Sequence, residues 1–407
     1  MLWNYKFKNF CSFCDLAEFD LAAPGTKVKN RFPENYTETQ AGVNILKTAI
    51  IIGENAGGKS NFINSIKFLK KLFKDNESVR AYKSYVNVNN LTDNSPFNCD
   101  TKQHFEIEII ENGYIYSYFL EIDFLGIVEE KLAIRQKKDI TKKDVLVIKR
   151  KKIVDKTEVR LNYSIKVLGL SKDISDIFEN TKYNKGNMGL FVTKLAILGY
   201  EHAVVFVNWI NNKLYPEAIG INYDIYKDMK REEDDIRILR DKRYVDIFKM
   251  VDYSIESIEI DEEKPYSETK IIRKKKNGDL FSRELRSDST GVREFFAWAV
   301  QIFRVVYEDK IVFADEMDRV LNPILSDRVI AFINGKTHTG QFIFSTHNVL
   351  HLDLKTYMKE QIYFITKDRY SLNSEIYSLA DFPEVRYETT KIYEFYMKGI
   401  LGGTAFE

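Results

Sequence analysis

The sequence predicts an α/β fold with an antiparallel β lobe and a largely helical insertion, and three observations carry that expectation. A β-branched run, Asn44 to Ile52, enters a Gly-rich turn and then a helix with one apolar side; strand, Gly loop and helix in that order make a phosphate loop. From Phe105 to about Arg150 apolar and polar residues alternate, as in Phe105-Glu106-Ile107-Glu108-Ile109, the period of a half-buried antiparallel sheet. Two more short apolar runs, Lys310 to Phe313 and Gly340 to Phe344, read as buried strands.

The elements follow in order. Leu2 to Leu21 reads as an apolar and aromatic hairpin. Ser60 to Lys74 sets Phe62, Ile63, Ile66, Phe68, Leu69 and Leu72 at helical spacing, with lysines opposite. Asn112-Gly113 marks a hairpin turn in the alternating region. Leu168 to Met250 reads as mainly helical, with breaks near Asn180 to Asn187 and a charged run from Lys230 to Arg243. Within it Gly189 to Ile210 is expected as one buried helix and not a membrane span, because Lys194, Glu201 and His202 interrupt it. Ile255 to Ile260 and Ser267 to Arg273 return to strand character, Asn277-Gly278 signals another hairpin, and Glu294 to Tyr307 is helical. The expected division is an N-terminal part of the core at 1–165, a mainly helical insertion at 166–250, and a C-terminal part of the core at 251–407.

The chain has 407 residues, 44% of them hydrophobic, enough for one large core with an elaborated lobe. Its 61 basic and 60 acidic side chains give no general attraction to nucleic acid or to an anionic membrane. Three cysteines make no disulfide framework, and the start, Met1-Leu2-Trp3-Asn4-Tyr5-Lys6, lacks signal-peptide design, so a cytoplasmic protein is expected. Cys11 and Cys14 have CxxC spacing but no second pair, and read as ordinary residues near a strand. No sustained heptad suggests a coiled-coil arm.

Four segments carry chemistry. Gly53-Glu54-Asn55-Ala56-Gly57-Gly58-Lys59-Ser60, followed by Asn61, fits GxxxxGK[ST]. Its backbone N–H groups would cradle phosphates, Lys59 would reach the β and γ phosphates of ATP, and Ser60 would offer a hydroxyl to Mg²⁺. Ile311-Val312-Phe313-Ala314-Asp315-Glu316 is an apolar strand ending in two acids, with Asp315 expected on the metal side and Glu316 as the base that polarises water. Phe342-Ile343-Phe344-Ser345-Thr346-His347-Asn348 ends another strand in a histidine able to bond a γ-phosphate or the attacking water. Ser289-Thr290-Gly291 opens an apolar helix; alone it is an ordinary cap, yet it is also a helix N-terminus able to hold an anion.

The order of these segments resembles the ABC-type P-loop ATPases of the SMC and RecF group. Phe7-Lys8-Asn9-Phe10-Cys11-Ser12-Phe13 looks like that group's opening strand, Ser289-Thr290-Gly291 like its signature Ser-Gly-Gly, and Thr346-His347-Asn348 like its switch. The resemblance implies that Ser289, Thr290 and Gly291 of one subunit contact ATP held by Lys59 and Ser60 of another, and that a glutamine assists Mg²⁺, for which Gln103 is the candidate. Within the group the sequence is similar to the AAA15-type ATPases related to RloA and the Abi-L ATPase, which are associated with defence against bacteriophage. Val385-Arg386 and Tyr396-Met397-Lys398-Gly399-Ile400-Leu401-Gly402-Gly403 resemble that family's closing segment. Asp315-Glu316 through Leu321-Asn322-Pro323 follows its Asp-Glu continuation, with Asn322 where a histidine is usual.

This resemblance implies a homodimer or higher homo-oligomer, a phage-derived trigger, and a separate effector such as a TOPRIM-type nuclease or another toxin. About sixty residues follow His347, too few for a built-in nuclease. Two other readings compete: a RecF-like DNA repair ATPase, and a nucleotide-gated scaffold with negligible hydrolysis. Basic runs at Arg135 to Lys152 and Arg273 to Lys276 could line DNA, although solvated hairpin tips explain them as well. Glu232, Glu233, Asp234 and Asp235 read as a solvated helix face.

Overall fold

The computed structural model describes residues 1–74, 102–123, 126–138, 141–151, 160–163, 189–218, 233–317, 322–387 and 392–402. Along the chain, β1 (Leu2–Lys8), β2 (Ala17–Asp20), the single turn α1 (Thr26–Lys29), β3 (Tyr36–Glu38) and β4 (Asn44–Leu46) lead to β5 (Thr48–Gly53) and α2 (Lys59–Lys74). Next come β6 (Gln103–Glu111), β7 (Tyr114–Asp123), β8 (Gly126–Arg135), β9 (Lys143–Lys151) and β10 (Arg160–Tyr163). The lobe region contributes α3 (Phe191–Ile197), α4 (Glu201–Asn212), β11 (Leu214–Ala218), α5 (Glu233–Leu239) and α6 (Lys242–Phe248). Then β12 (Ile255–Glu259), β13 (Lys270–Lys274) and β14 (Leu280–Glu284) precede α7 (Thr290–Glu308), β15 (Ile311–Ala314) and α8 (Pro323–Asn334). The last elements are β16 (Gln341–Thr346), β17 (Ile362–Lys367), β18 (Ser374–Ser378) and α9 (Ile392–Met397).

Six strands form the central sheet in the order β11-β15-β16-β5-β17-β18. Neighbours are parallel except the antiparallel β17–β18 pair. Ala49 and Ile51 of β5 enter one core, Ile50 and Ile52 the other, and all four are fully buried. A strand covered on both faces needs apolar residues throughout, which is why this segment shows no alternation.

One face is covered by α2 and by a seven-stranded antiparallel sheet, ordered β10-β9-β8-β7-β6-β1-β2, with Phe7, Phe19, Phe62 and Phe105 packed between. The other face carries α7, which buries Phe295, Phe296, Trp298 and Ile302 together with α6 and α8. Gln341 ties the two sheets together. Its Oε1 accepts from the Leu2 N–H at 2.6 Å, and its Nε2 donates to the Leu2 and Leu46 carbonyls at 2.9 and 3.0 Å. A fully buried amide must satisfy its polar atoms internally, so this side chain fixes the antiparallel sheet against β16.

The mixed α/β arrangement, with a phosphate-loop strand inside a parallel sheet and an antiparallel lobe against it, is the fold class expected from the motif order. Several details differ. Gly189 to Ile210 is not one helix: α3 and α4 meet at 113° around Leu198 to Tyr200. No single helix among the described residues is long and apolar enough to cross a membrane. Within the span expected to be a helical insertion, β11 pairs in parallel with β15 and so belongs to the central sheet. Asn180 to Asn187, Cys99 and Glu232 lie outside the described residues.

Asp235 corrects the solvated acidic face. It is buried, bonded to Arg304 Nη2 at 2.6 Å and accepting from Tyr266 Oη at 2.7 Å, so it links α5 to α7. Within the basic runs, Arg135 and Lys142 are both engaged with Glu108, and Arg135 also lies over the Trp3 ring. Cys11 and Cys14 form no disulfide, and burial pushes the Cys11 thiol up to about 11. No cluster of three or more His, Cys, Asp or Glu able to hold a metal occurs among the described residues.

Candidate functional site

Three parallel strands deliver their C-terminal ends to one crevice: β5 into the loop 53–60, β15 into Asp315 and Glu316, and β16 into His347. Open α/β sheets place ligands at such an edge. The loop is held from behind by the last strands of the sheet. A Cβ built on Gly53 would sit 2.1 Å from the Ile365 carbonyl oxygen of β17, so no larger residue fits there. Gly58 has φ +121°, and a Cβ there would meet Ser374 Oγ of β18 at 2.4 Å. Ser374 is buried, donates to the Gly57 carbonyl at 2.6 Å and lies 2.7 Å from Ser12 Oγ. Ser12 in turn accepts from Asn61 Nδ2 at 2.8 Å.

Glu54, Asn55 and Ala56 form the outer part of the loop, half-buried to exposed, and Ala56 takes the left-handed φ of 61°. Lys59 is buried, and its ammonium donates to the Gly53 and Glu54 carbonyls at 2.8 Å each, which aims it across the mouth of the loop. A polar cleft of about 660 Å³ opens beside Glu54 against the β17–β18 turn and the closing segment at Gly399 and Gly402.

The structure joins Ser60 to Asp315, 255 residues apart, through a 2.7 Å bond from the Ser60 hydroxyl to Asp315 Oδ2. The other Asp315 oxygen accepts from Ser345 Oγ at 2.5 Å, and Ser345 Oγ accepts from the Glu316 N–H at 2.7 Å. Ser345 is fully buried, one strand away, and it fixes both acids at once. Glu316 has φ 51°, a left-handed conformation costly for a non-glycine residue, and its backbone bond to Ser345 holds it there. Such strain is a common mark of a functional position. His347 is half-buried directly after β16, at the same edge.

Ser289 is the N-cap of α7 and accepts from the Val292 N–H at 3.4 Å, while Ser289, Thr290 and Gly291 are all exposed. Nothing lies within 4 Å of a Cβ placed on Gly291. This segment therefore faces outward and is not packed on the phosphate loop of its own chain. Gln103 opens β6, fully buried, and donates from Nε2 to the Asn9 carbonyl at 2.9 Å; its Oε1 has no partner. Asp315 accepts from Ser60 and from Ser345, not from Gln103. Asn322, the departure from histidine, caps α8 by accepting from the Leu325 N–H at 2.9 Å. Sequence reasoning gave no role to Ser12, Ser345 or Ser374, although Ser12 lies within the opening segment Phe7 to Phe13 and Ser345 stands two residues before His347 at a strand end.

Residues 203–353 match the family model described as "AAA domain, putative AbiEii toxin, Type IV TA system". The match is less than half of the chain; it contains Ser289 to Gly291, Asp315, Glu316 and His347 but begins after the phosphate loop. No curated protein matches the chain. Among solved structures, the chain is similar to an SMC head domain from Thermotoga maritima at 14% identity, with 93% of this chain and 98% of that chain covered and a TM-score of 0.41. It is also similar to an Smc head domain bound to the C-terminal domain of ScpA derived from Pyrococcus furiosus, at 12% identity, 93% and 96% coverage and a TM-score of 0.42.

Proposed function

We propose that this chain is an ATP-binding and ATP-hydrolysing protein of ABC type, whose sites are completed across a homodimer. We further propose that it acts as a sensor or regulator in anti-phage defence by controlling a separate toxic effector. The observation that carries the ATPase reading is the hydroxyl–carboxylate chain Ser60–Asp315–Ser345–Glu316 at the mouth of the loop. A hydroxyl and a carboxylate 2.7 Å apart are a hard-oxygen pair that suits Mg²⁺, a cation normally held by one or two protein oxygens together with substrate phosphates. When bound, Mg²⁺ would neutralise charge on the β and γ phosphates.

In this reading, the backbone of Gly53 to Ser60 and the Lys59 ammonium bind the phosphates. Glu316 takes a proton from the attacking water as general base, and Ser345 holds it in place. His347 stands at the γ-phosphate end as a hydrogen-bond partner. The exposed Ser289, Thr290 and Gly291 support a composite site, because a 19-residue helix with an outward N-terminus can offer its N–H groups and dipole to a phosphate on a second copy. The defence role is supported by the resemblance in the closing segment and by the family match over 203–353.

Lys59→Ala is expected to abolish ATP binding, and Glu316→Gln to retain ATP while trapping a closed dimer with hydrolysis lost. Titration with a fluorescent ATP analogue, phosphate release and sedimentation read these outcomes. Undiminished ATP affinity in Lys59→Ala would overturn the site, undiminished turnover in Glu316→Gln would overturn Glu316 as the base, and a wild-type chain that binds ATP without turning it over would leave the scaffold reading. The effector is sought by co-purification with the intact chain; an ATPase that always emerges alone counts against that part.

A further inference from the structure

We infer that Arg273 is a positioning residue for the ATPase reaction, holding the N-terminus of α7 in the attitude in which Ser289 to Gly291 can meet a nucleotide on a second copy. The inference rests on the composite-site reading above. Arg273 lies on β13, the middle strand of the three-stranded sheet β12-β13-β14, with its side chain 14% exposed. Its guanidinium spans two carboxylates on different segments. Nε donates to Asp252 Oδ2 at 2.8 Å, and Nη2 forms an ion contact with Asp288 Oδ2 at 2.7 Å.

Each carboxylate braces a turn. Asp252 lies in the segment between α6 and β12, and its Oδ1 accepts from the Ser254 N–H at 2.9 Å and Ser254 Oγ at 2.7 Å. Asp288 directly precedes the α7 cap, and its Oδ1 accepts from the Ser289 N–H at 2.9 Å. One cation thus joins the α6–β12 turn to the residue that enters the signature segment.

The first turn of α7 needs such a brace. Ser289, Thr290 and Gly291 are exposed, Gly291 has open space around it, the Ser289 cap bond is long at 3.4 Å, and Val292 is the one buried residue of the turn. Continuous burial begins only at Phe295. Asp288 has a side chain only 7% exposed, so without Arg273 its carboxylate would be left nearly buried and unpaired. Such a charge is strongly unfavourable and would turn toward water, moving the cap with it. Lysine would not serve, because a single ammonium cannot reproduce the fork that reaches two separate carboxylates.

The test is a mixing experiment read by phosphate release. Arg273→Gln and Arg273→Lys are each expected to bind a fluorescent ATP analogue within about 2-fold of wild type while kcat falls at least about 10-fold. Lys59→Ala has a defective phosphate loop but an intact signature. Equal mixing with Arg273→Gln should restore up to about a quarter of wild-type turnover, since half the dimers then carry one complete site. Lys59→Ala mixed with Ser289→Arg is the reference pair.

Recovery in both mixtures supports the inference. Recovery only with Ser289→Arg overturns it and spares the composite site, and wild-type kcat in Arg273→Gln alone also overturns it. Recovery in neither mixture removes the composite reading and the inference together. Should Arg273→Gln fail to fold, Asp288→Asn keeps the acceptor for Ser289 but not the charge for Arg273. The same recovery is expected of it, and its absence where Ser289→Arg recovers is equally decisive.

Discussion

Removing one buried hydroxyl, by Ser345→Ala, should damage turnover far more than stability. Ser345 Oγ gives one bond to the Asp315 carboxylate at 2.5 Å and receives one from the Glu316 N–H at 2.7 Å. A charge-assisted bond contributes about 1.5–3 kcal/mol and a neutral one about 1 kcal/mol. Asp315 and Glu316 are half-buried, so water replaces part of what is lost, and the net cost should be about 2 kcal/mol. For a chain of this size that lowers the melting temperature by only about 2–4 °C.

The site should respond more strongly. Glu316 stays at φ 51° while its N–H is held; once released, relaxing the backbone recovers roughly 1 kcal/mol and turns the carboxylate away from the crevice. A misplaced base and a loosened metal-side acid together should lower kcat by about 10–100-fold. ATP affinity, which depends on Lys59 and the loop backbone, should remain within about 3-fold of wild type. Calorimetry, nucleotide titration and steady-state phosphate release measure the three quantities. Wild-type kcat in a chain whose melting temperature has fallen would refute the reasoning, because Ser345 would then be a core hydroxyl and nothing more.

Other expectations follow from buried polar groups and from the loop. Fully buried Glu130 accepts from the Phe191 and Val192 N–H groups at the start of α3 and from Tyr118 Oη, yet burial pushes its pKa up from 4.5 to about 7. A raised acid favours the folded state below its unfolded value, so roughly 3 kcal/mol should be lost as pH rises from about 4.5 through 7. Urea unfolding should show that loss in wild type and not in Glu130→Gln; parallel profiles would sink the assignment. Gly58→Ala, forced into φ +121° and against Ser374 Oγ, should weaken ATP binding at least about 10-fold. Adding Ser374→Ala should recover some stability, and an unchanged melting temperature in the double variant would speak against the close approach. Asp235→Asn removes the buried carboxylate that pairs with Arg304 and should cost about 3 kcal/mol in chemical denaturation, an expectation undone by an unshifted midpoint.

The parts of the fold readable in the sequence were those whose pattern is local. The phosphate-loop helix falls where the apolar stripe places it, and Asn112 and Gly113 both take positive φ as a tight hairpin requires, but the run Asn44 to Ile52 is not one strand: it divides at Lys47 into β4, paired with β3, and β5 of the central sheet. Strand β11 was hidden because Pro216 sits inside Leu214–Ala218. Proline argues against a strand, but β11 is the edge of its sheet, and its pairing shifts between Tyr215 and Ala218. The break between α3 and α4 was invisible to composition, since apolar residues continue on both sides of it. At the site, motif spacing pointed to Ser60, Asp315, Glu316 and His347. It could not point to Ser345, Ser374 or Arg273, whose roles arise only from partners brought near by pairing of distant strands.

The backing of the phosphate loop by β17 and β18 has a consequence for the order of assembly. Gly53, Gly57 and Gly58 take their shape against Ile365 and Ser374, more than three hundred residues later in the chain. During synthesis the loop therefore leaves the ribosome long before the surface that shapes it, and the most local motif in the sequence matures among the last. Such non-local closure is slow to form. A nascent or truncated chain lacking Ser374 would therefore carry the motif without the surface against which its glycines take their shape.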